Sequence, residues 1–214
     1  MKNVKDPTYY PPLEEKINVF THALGFFLSI AALVLLVVKS SINGTAWHIV
    51  SFSIFGASLI ILYAASTFFH NAKNLKIRKR LNIFDHASIY ILIAGTYTPF
   101  TLVILNGAIG WVLFGITWGI AITGVILKIF FTGKYEKIST IAYVLMGWII
   151  VFAFKPLLNN FSSEGIVWLA LGGIAYTIGA VLYSSKRLSF NHAIFHVFVL
   201  LGSFCHFISI YFYI

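Results

Sequence analysis

His192 and His196 stand four residues apart within an apolar run. On a helix that spacing puts both imidazoles on one face, with Cβ atoms about 5–6 Å apart. Two histidines of one helix chelate a single metal ion from that separation. A third imidazole from another helix would complete a three-histidine set. Zinc held that way keeps a fourth position for water, as catalytic rather than structural sites do. His70 is the leading third ligand, because it lies near a helix end at matching depth, with His22 and His86 in reserve. The pair fits equally well with two imidazoles solvated at a membrane interface, on a helix capped by Asn191.

Asp85 has two roles open to it. In a cap led by Asn82, its carboxylate would meet free amides at the positive end of a helix. Beside a metal it would orient a ligand or a water and accept its proton. On the residues alone the cap is the better supported. Ser66 lies one turn before His70, where a serine ordinarily bonds back to its own backbone. Gly95-Thr96-Tyr97-Thr98-Pro99 reads as architecture: Pro99 removes a backbone hydrogen bond and should kink its helix, and Gly95 allows a neighbour to approach closely. His48 and His206 fall on the opposite side from this cluster and are assigned no role.

The elements that position these groups are membrane helices. Of 214 residues, 59% are hydrophobic and 10% charged, too few charges to cover a soluble surface, where about a quarter is usual. The expected fold is an all-α bundle of seven transmembrane helices, as a multi-pass protein of the cell membrane. The spans read as 17–38, 46–70, two between residues 80 and 128 divided by the Asn106-Gly107 turn, 138–155, 165–183 and 191–213. Residues 1–16 form a polar segment before a single domain over 17–214 and do not read as a cleavable signal. The lone Cys205 excludes an internal disulfide.

A net charge of +9 would suggest nucleic acid in a soluble protein. Here the cations lie in short segments between apolar runs, so they read as topology signals facing anionic lipid headgroups, and no nucleic-acid partner is expected. Lys2, Lys5, Lys16, the five cations of 73–80, Lys128, Lys134, Lys137, Lys186 and Arg187 fall on one side, against Lys39 and Lys155 on the other. The positive-inside rule then predicts a cytosolic N-terminus and an outside C-terminus. Glu14, Glu15, Asn18, His22, Ser66, His70, Asp85, His86, His192 and His196 all gather at the inner leaflet, on four helices.

Glu15-x-x-Asn18-x-x-x-His22, Ser66-x-x-x-His70, Asp85-His86 followed by Gly95-x-Tyr97-Thr98-Pro99, and His192-x-x-x-His196 occur in an order that resembles the hemolysin III family, bacterial members of the progestin and adipoQ receptor superfamily. The resemblance spans nearly the whole chain. It implies seven helices with the N-terminus inside and a zinc site near the cytosolic face, with His70, His192 and His196 as ligands, Asp85 holding the attacking water and Ser66 beside it. The alkaline ceramidases look like distant relatives with a similar Ser, His and Asp set, which implies hydrolysis of a lipid amide. Three functions stay in view: a zinc-dependent lipid amide or ester hydrolase fed from the inner leaflet, a pore-forming cytolysin, and a non-catalytic regulator of membrane state.

Overall fold

The computed structural model describes residues 7–185 and 187–214. Lys2, Lys5 and Lys186, which count toward the charge bias, lie outside the described residues, as does the start of the polar N-terminal segment. Among the described residues there are seven helical spans long and apolar enough to cross a membrane. They comprise α1 (Pro12–Asn43), α2 (Ala46–Asn71), α3 (Leu75–Pro99), α4 (Gly107–Phe131), α5 (Glu136–Gly147) with α6 (Phe154–Asn160), α7 (Ser163–Ser184) and α8 (Asn191–Tyr213). Short turns alternate the helix direction. The start of α1, the end of α2, the starts of α3 and α5, the end of α7 and the start of α8 therefore share one end, which also carries most of the cations.

The first helix begins earlier than expected, because Pro12 occupies a position where a helix needs no N–H. The third also begins earlier. Asn74 caps it, its Oδ1 accepting from the amides of Lys76 (3.0 Å) and Ile77 (3.3 Å). Asp85 consequently lies well inside α3, and the Asn82-led cap does not exist. The chain passes through Pro99 in helical geometry and then widens into a π-helical turn over Phe100–Ile104, with Leu105 N–H donating to Phe100 O (2.8 Å). That turn absorbs the backbone defect left by the proline.

The fifth span is broken. Between α5 and α6 lies a 3₁₀ turn, Ile149–Ala153, and the Tyr97 hydroxyl fills the gap in the ladder. It donates to Gly147 O and accepts from Ile150 N–H, both at 2.8 Å. The span continues beyond Pro156 to Asn160, since Pro156 falls in the first turn of α6, where its missing N–H leaves no bond unmade. His48, given no role from sequence, closes the start of α2, where its Nδ1 accepts from Thr45 N–H (3.2 Å).

Phe20, Phe27 and Phe152 are 70%, 68% and 90% exposed and face lipid. Leu36, Phe52, Phe55, Leu59, Leu62 and Tyr63 pack inward from α1 and α2 against Phe100, Val199 and Ile210. Lipid is as apolar as these side chains, so what holds the helices together is close packing rather than transfer out of water. Gly95 illustrates it: a Cβ there would collide with the Ser58 side chain of α2. α1 packs against both α2 and α8, and α7 against α8.

Candidate metal centre

Two helix ends bring three histidines together at the cation-rich end of the bundle. His70 sits in the last turn of α2, His192 in the first turn of α8 and His196 one turn further on. The end of α2 is fixed by Arg78, 1% exposed, whose Nη1 donates to the carbonyls of Phe69 (3.2 Å), His70 (3.3 Å) and Ala72 (3.4 Å). A guanidinium at a helix C-terminus satisfies both free carbonyls and the negative end of the dipole. The start of α8 follows Phe190 in the left-handed region (φ 57°). Asn191 does not cap it. Its Nδ2 instead donates back to Tyr183 O (2.8 Å) and Ser185 O (3.3 Å) at the end of α7. The free amide of His192 goes to Glu14 Oε1 (3.3 Å), so a carboxylate of α1 caps α8.

All three imidazoles are buried. Their Nε2 atoms meet, His70 to His192 at 3.0 Å and His192 to His196 at 3.0 Å, and ligand atoms of all three lie within 4.8 Å of one another. The protons of His70 and His196 can be placed from their outer ring nitrogens. Nδ1–H of His70 donates to Glu15 Oε2 (2.7 Å), leaving a lone pair on its Nε2. The Thr21 hydroxyl donates to Ile17 O (2.8 Å) and lies 3.4 Å from His196 Nδ1, so that nitrogen also carries its ring's proton. Two lone pairs therefore face His192 Nε2, and one proton there could satisfy only one of them. A cation satisfies all three. Tetrahedral bonds of 2.0–2.1 Å separate ligand nitrogens by about 3.3 Å, close to the two 3.0 Å separations present, while the set as a whole spans up to 4.8 Å. The three histidines can hold a metal ion, and the interfacial, solvated reading of the pair does not survive their burial.

Glu15 ties this centre to its surroundings. Its carboxylate also takes the Arg78 guanidinium and Tyr10 N–H (3.1 Å). Arg78 Nη2 donates to Thr8 O (2.9 Å), and its guanidinium lies over the Tyr9 ring. Tyr10 stacks on His192, with ring centroids 4.5 Å apart and planes at 20°. Burial pushes the Tyr10 phenol well above its ordinary range, so it stays neutral. The extended segment ahead of α1 thus covers the three histidines from outside the bundle. Sequence reasoning assigned Arg78 to topology and missed Tyr10 and Thr21. Arg78 sits within a run of cations, and nothing in that run distinguishes it.

The two reserve histidines do not join the cluster. His22 stacks face to face on His196 (3.5 Å, 9°), so its nitrogens do not converge with the others. His86 Nδ1 contacts its own helix at Asn82 O (2.9 Å). Asp85 and Ser66 lie with His22, His192 and His196 on the wall of a cavity of about 240 Å³ that runs between α3, α5, α7 and α8. Ser66 departs from the usual pattern. Ser29 and Ser58 bond back to their own helices, whereas the buried Ser66 Oγ has no protein partner. Beyond these groups the cavity walls are largely apolar, reaching Phe154, Leu157 and Ile166 at the far end.

Seven apolar helices with a buried three-histidine centre define a heptahelical integral membrane protein with a candidate metal site. A family profile described as "Haemolysin-III related" matches residues 11–207. The chain is 46% identical over 201 residues to Hemolysin-3 of Bacillus cereus, covering 94% of this chain and 92% of that one. It is also 46% identical over 200 residues to the Hemolysin-3 homolog of Bacillus subtilis (strain 168), covering 94% of each. A more distant likeness is to the monocyte to macrophage differentiation factor of Homo sapiens, 29% identical over 219 residues, covering 97% of this chain and 86% of that one. The chain belongs to the haemolysin-III family, within the progestin and adipoQ receptor superfamily, and is a multi-pass protein of the cell membrane.

Proposed function

We propose that this protein is a zinc-dependent hydrolase of lipid amides or esters, with its cation-rich end in the cytosol and its substrate drawn from the inner leaflet. One observation carries the reading: the three-histidine cluster meets, through His192 and His196, an apolar cavity whose wall also holds Asp85 and Ser66, the hydroxyl of which has no protein partner. A zinc ion there would polarise the scissile carbonyl and ease the deprotonation of water. Asp85, half-buried beside the cavity, takes the proton from the attacking water and returns it to the leaving amine or alcohol. Ser66 Oγ–H donates to the oxygen on which negative charge develops. The apolar wall takes the chain and keeps bulk water from the reacting carbonyl.

The test is metal analysis of the purified protein together with turnover across a panel of ceramides, acyl amides and esters. His196→Ala should lose zinc and turnover together. Asp85→Asn should keep zinc and lose turnover by about 10²–10⁴. Full zinc retention by His196→Ala refutes the ligand set. The name of the Bacillus relatives favours a second reading, lysis of cells through a pore. Lysis by the purified protein that persists without all three histidines, and that osmotic protectants block, would support the pore against the enzyme.

A further inference from the structure

The polar groups along the cavity differ in whether the protein satisfies them. Midway, the hydroxyl of Tyr176, on the wall, and that of Tyr63, which does not line it, each lie 2.8 Å from Ser203 Oγ, and these three satisfy one another. Near the metal centre, Ser66 Oγ, both ring nitrogens of His22 and Nδ1 of His192 have no protein partner, as expected where a substrate headgroup must bind. One further unpartnered atom lies elsewhere on the wall: Nδ1 of His206, 8% exposed, nearly three turns beyond His196 on α8.

The tautomer and facing of His206 are both fixed. Its Nε2 donates to Leu169 O of α7 (3.2 Å), so Nδ1 carries a lone pair and can only accept. The Nε2–Cδ2 edge lies against the backbone of Gly172, where a Cβ would overlap it. Nδ1 is therefore on the ring edge turned away from α7. A buried acceptor in apolar surroundings is costly unless a donor reaches it. Leu157, Ile166 and Leu169 on the neighbouring walls supply none, and the hydroxyl of Tyr176, whose ring lies 5.4 Å from that of His206, is held on Ser203 Oγ instead.

We infer that the far end of the cavity is a subsite for a hydroxyl carried on the ligand's chain, with Nδ1 of His206 accepting its hydrogen bond. The inference rests on the lipid-hydrolase reading and adds a substrate class to it. Ten residues of helix separate His206 from His196, about 15 Å along the axis. The preferred lipid therefore carries its acyl carbonyl at the metal centre and a hydroxyl far down the chain, with plain hydrocarbon between. A hydroxyl close to the carbonyl does not reach.

Binding of free acids, the products of such a hydrolysis, isolates this subsite from turnover. The zinc-loaded full chain in nanodiscs would be titrated with octadecanoic, 2-hydroxyoctadecanoic and 12-hydroxyoctadecanoic acid. The 12-hydroxy acid should bind roughly fivefold more tightly than the plain acid, the worth of one neutral hydrogen bond, and the 2-hydroxy acid should gain nothing at His206. His206→Phe should bind the plain acid as the wild type does and lose the 12-hydroxy preference. Equal binding of the 12-hydroxy and plain acids by the wild type overturns the subsite, since a water then satisfies Nδ1. A preference that persists in His206→Phe overturns it too. Binding of none of the acids, with zinc retained, overturns the lipid reading as well.

Discussion

Replacing Glu15 with Gln separates the metal ligands from the group that aims them. Glu15 does not reach the metal position; it holds Nδ1–H of His70 at 2.7 Å, which fixes the tautomer and makes Nε2 a better donor to a cation. Removing such a partner typically costs about ten- to a hundredfold in metal affinity, or roughly 1.4–2.7 kcal/mol. Glutamine keeps the shape and an acceptor oxygen but removes the charge. The zinc Kd should therefore rise within that range, whereas His70→Ala should abolish binding. A second consequence acts on the fold. Arg78 loses its carboxylate partner while buried, but keeps carbonyl acceptors on Phe69, His70, Ala72 and Thr8. The metal-free variant should accordingly be less stable, yet still folded. Competition against a fluorescent chelator gives the Kd, and thermal unfolding of the metal-free protein gives the stability term separately. A zinc Kd within twofold of wild type, in a variant whose metal-free Tm has fallen, would show that Glu15 serves only Arg78 and that the orienting role is wrong.

Two further outcomes follow from the contacts around the site. Tyr10 stacks on His192 from outside the bundle, so Tyr10→Ala should release zinc to excess chelator several-fold faster, while Tyr10→Phe, which keeps the ring, should match wild type; equal rates for all three would remove Tyr10 from the exit path. Tyr97→Phe leaves Gly147 O and Ile150 N–H unmatched at the break in the fifth span, at a cost of about 1–3 kcal/mol, which should appear as a lowered Tm with zinc content unchanged.

The spans were legible because lipid imposes a length and an apolarity that no loop can imitate. The histidine cluster was legible because an i, i+4 histidine pair is periodic and His70 shares its depth. Helix beginnings were read less well. Asn82 and Asn191 both look like caps, and the caps that form use Asn74 and Glu14. A local rule cannot see Glu14, because it reaches α8 across the fold from α1. Ser66 shows the same limit: the usual back-bond is a property of one helix, and its absence here reflects a cavity built by several. Arg78 could not be told from Lys76, Lys79 and Arg80 in one dimension, since only packing selects which cation of that run turns inward.

α1 contributes no metal ligand, yet it sets the geometry of all three. It packs between α2 and α8, the two helices that carry the ligands, and its first three turns present a different group to each. Glu15 fixes His70, Thr21 lies against His196 Nδ1, and Glu14 holds the amide of His192. His22 on the same helix stacks on His196 and faces the cavity. A rotation of α1 by one residue, about 100°, would withdraw all of these together. The Glu15-x-x-Asn18-x-x-x-His22 pattern thus sets three side chains of one helix against the histidine cluster, Asn18 Nδ2 lying 3.5 Å from His70 Nδ1, and its loss should disarrange the cluster while leaving all three histidines in place.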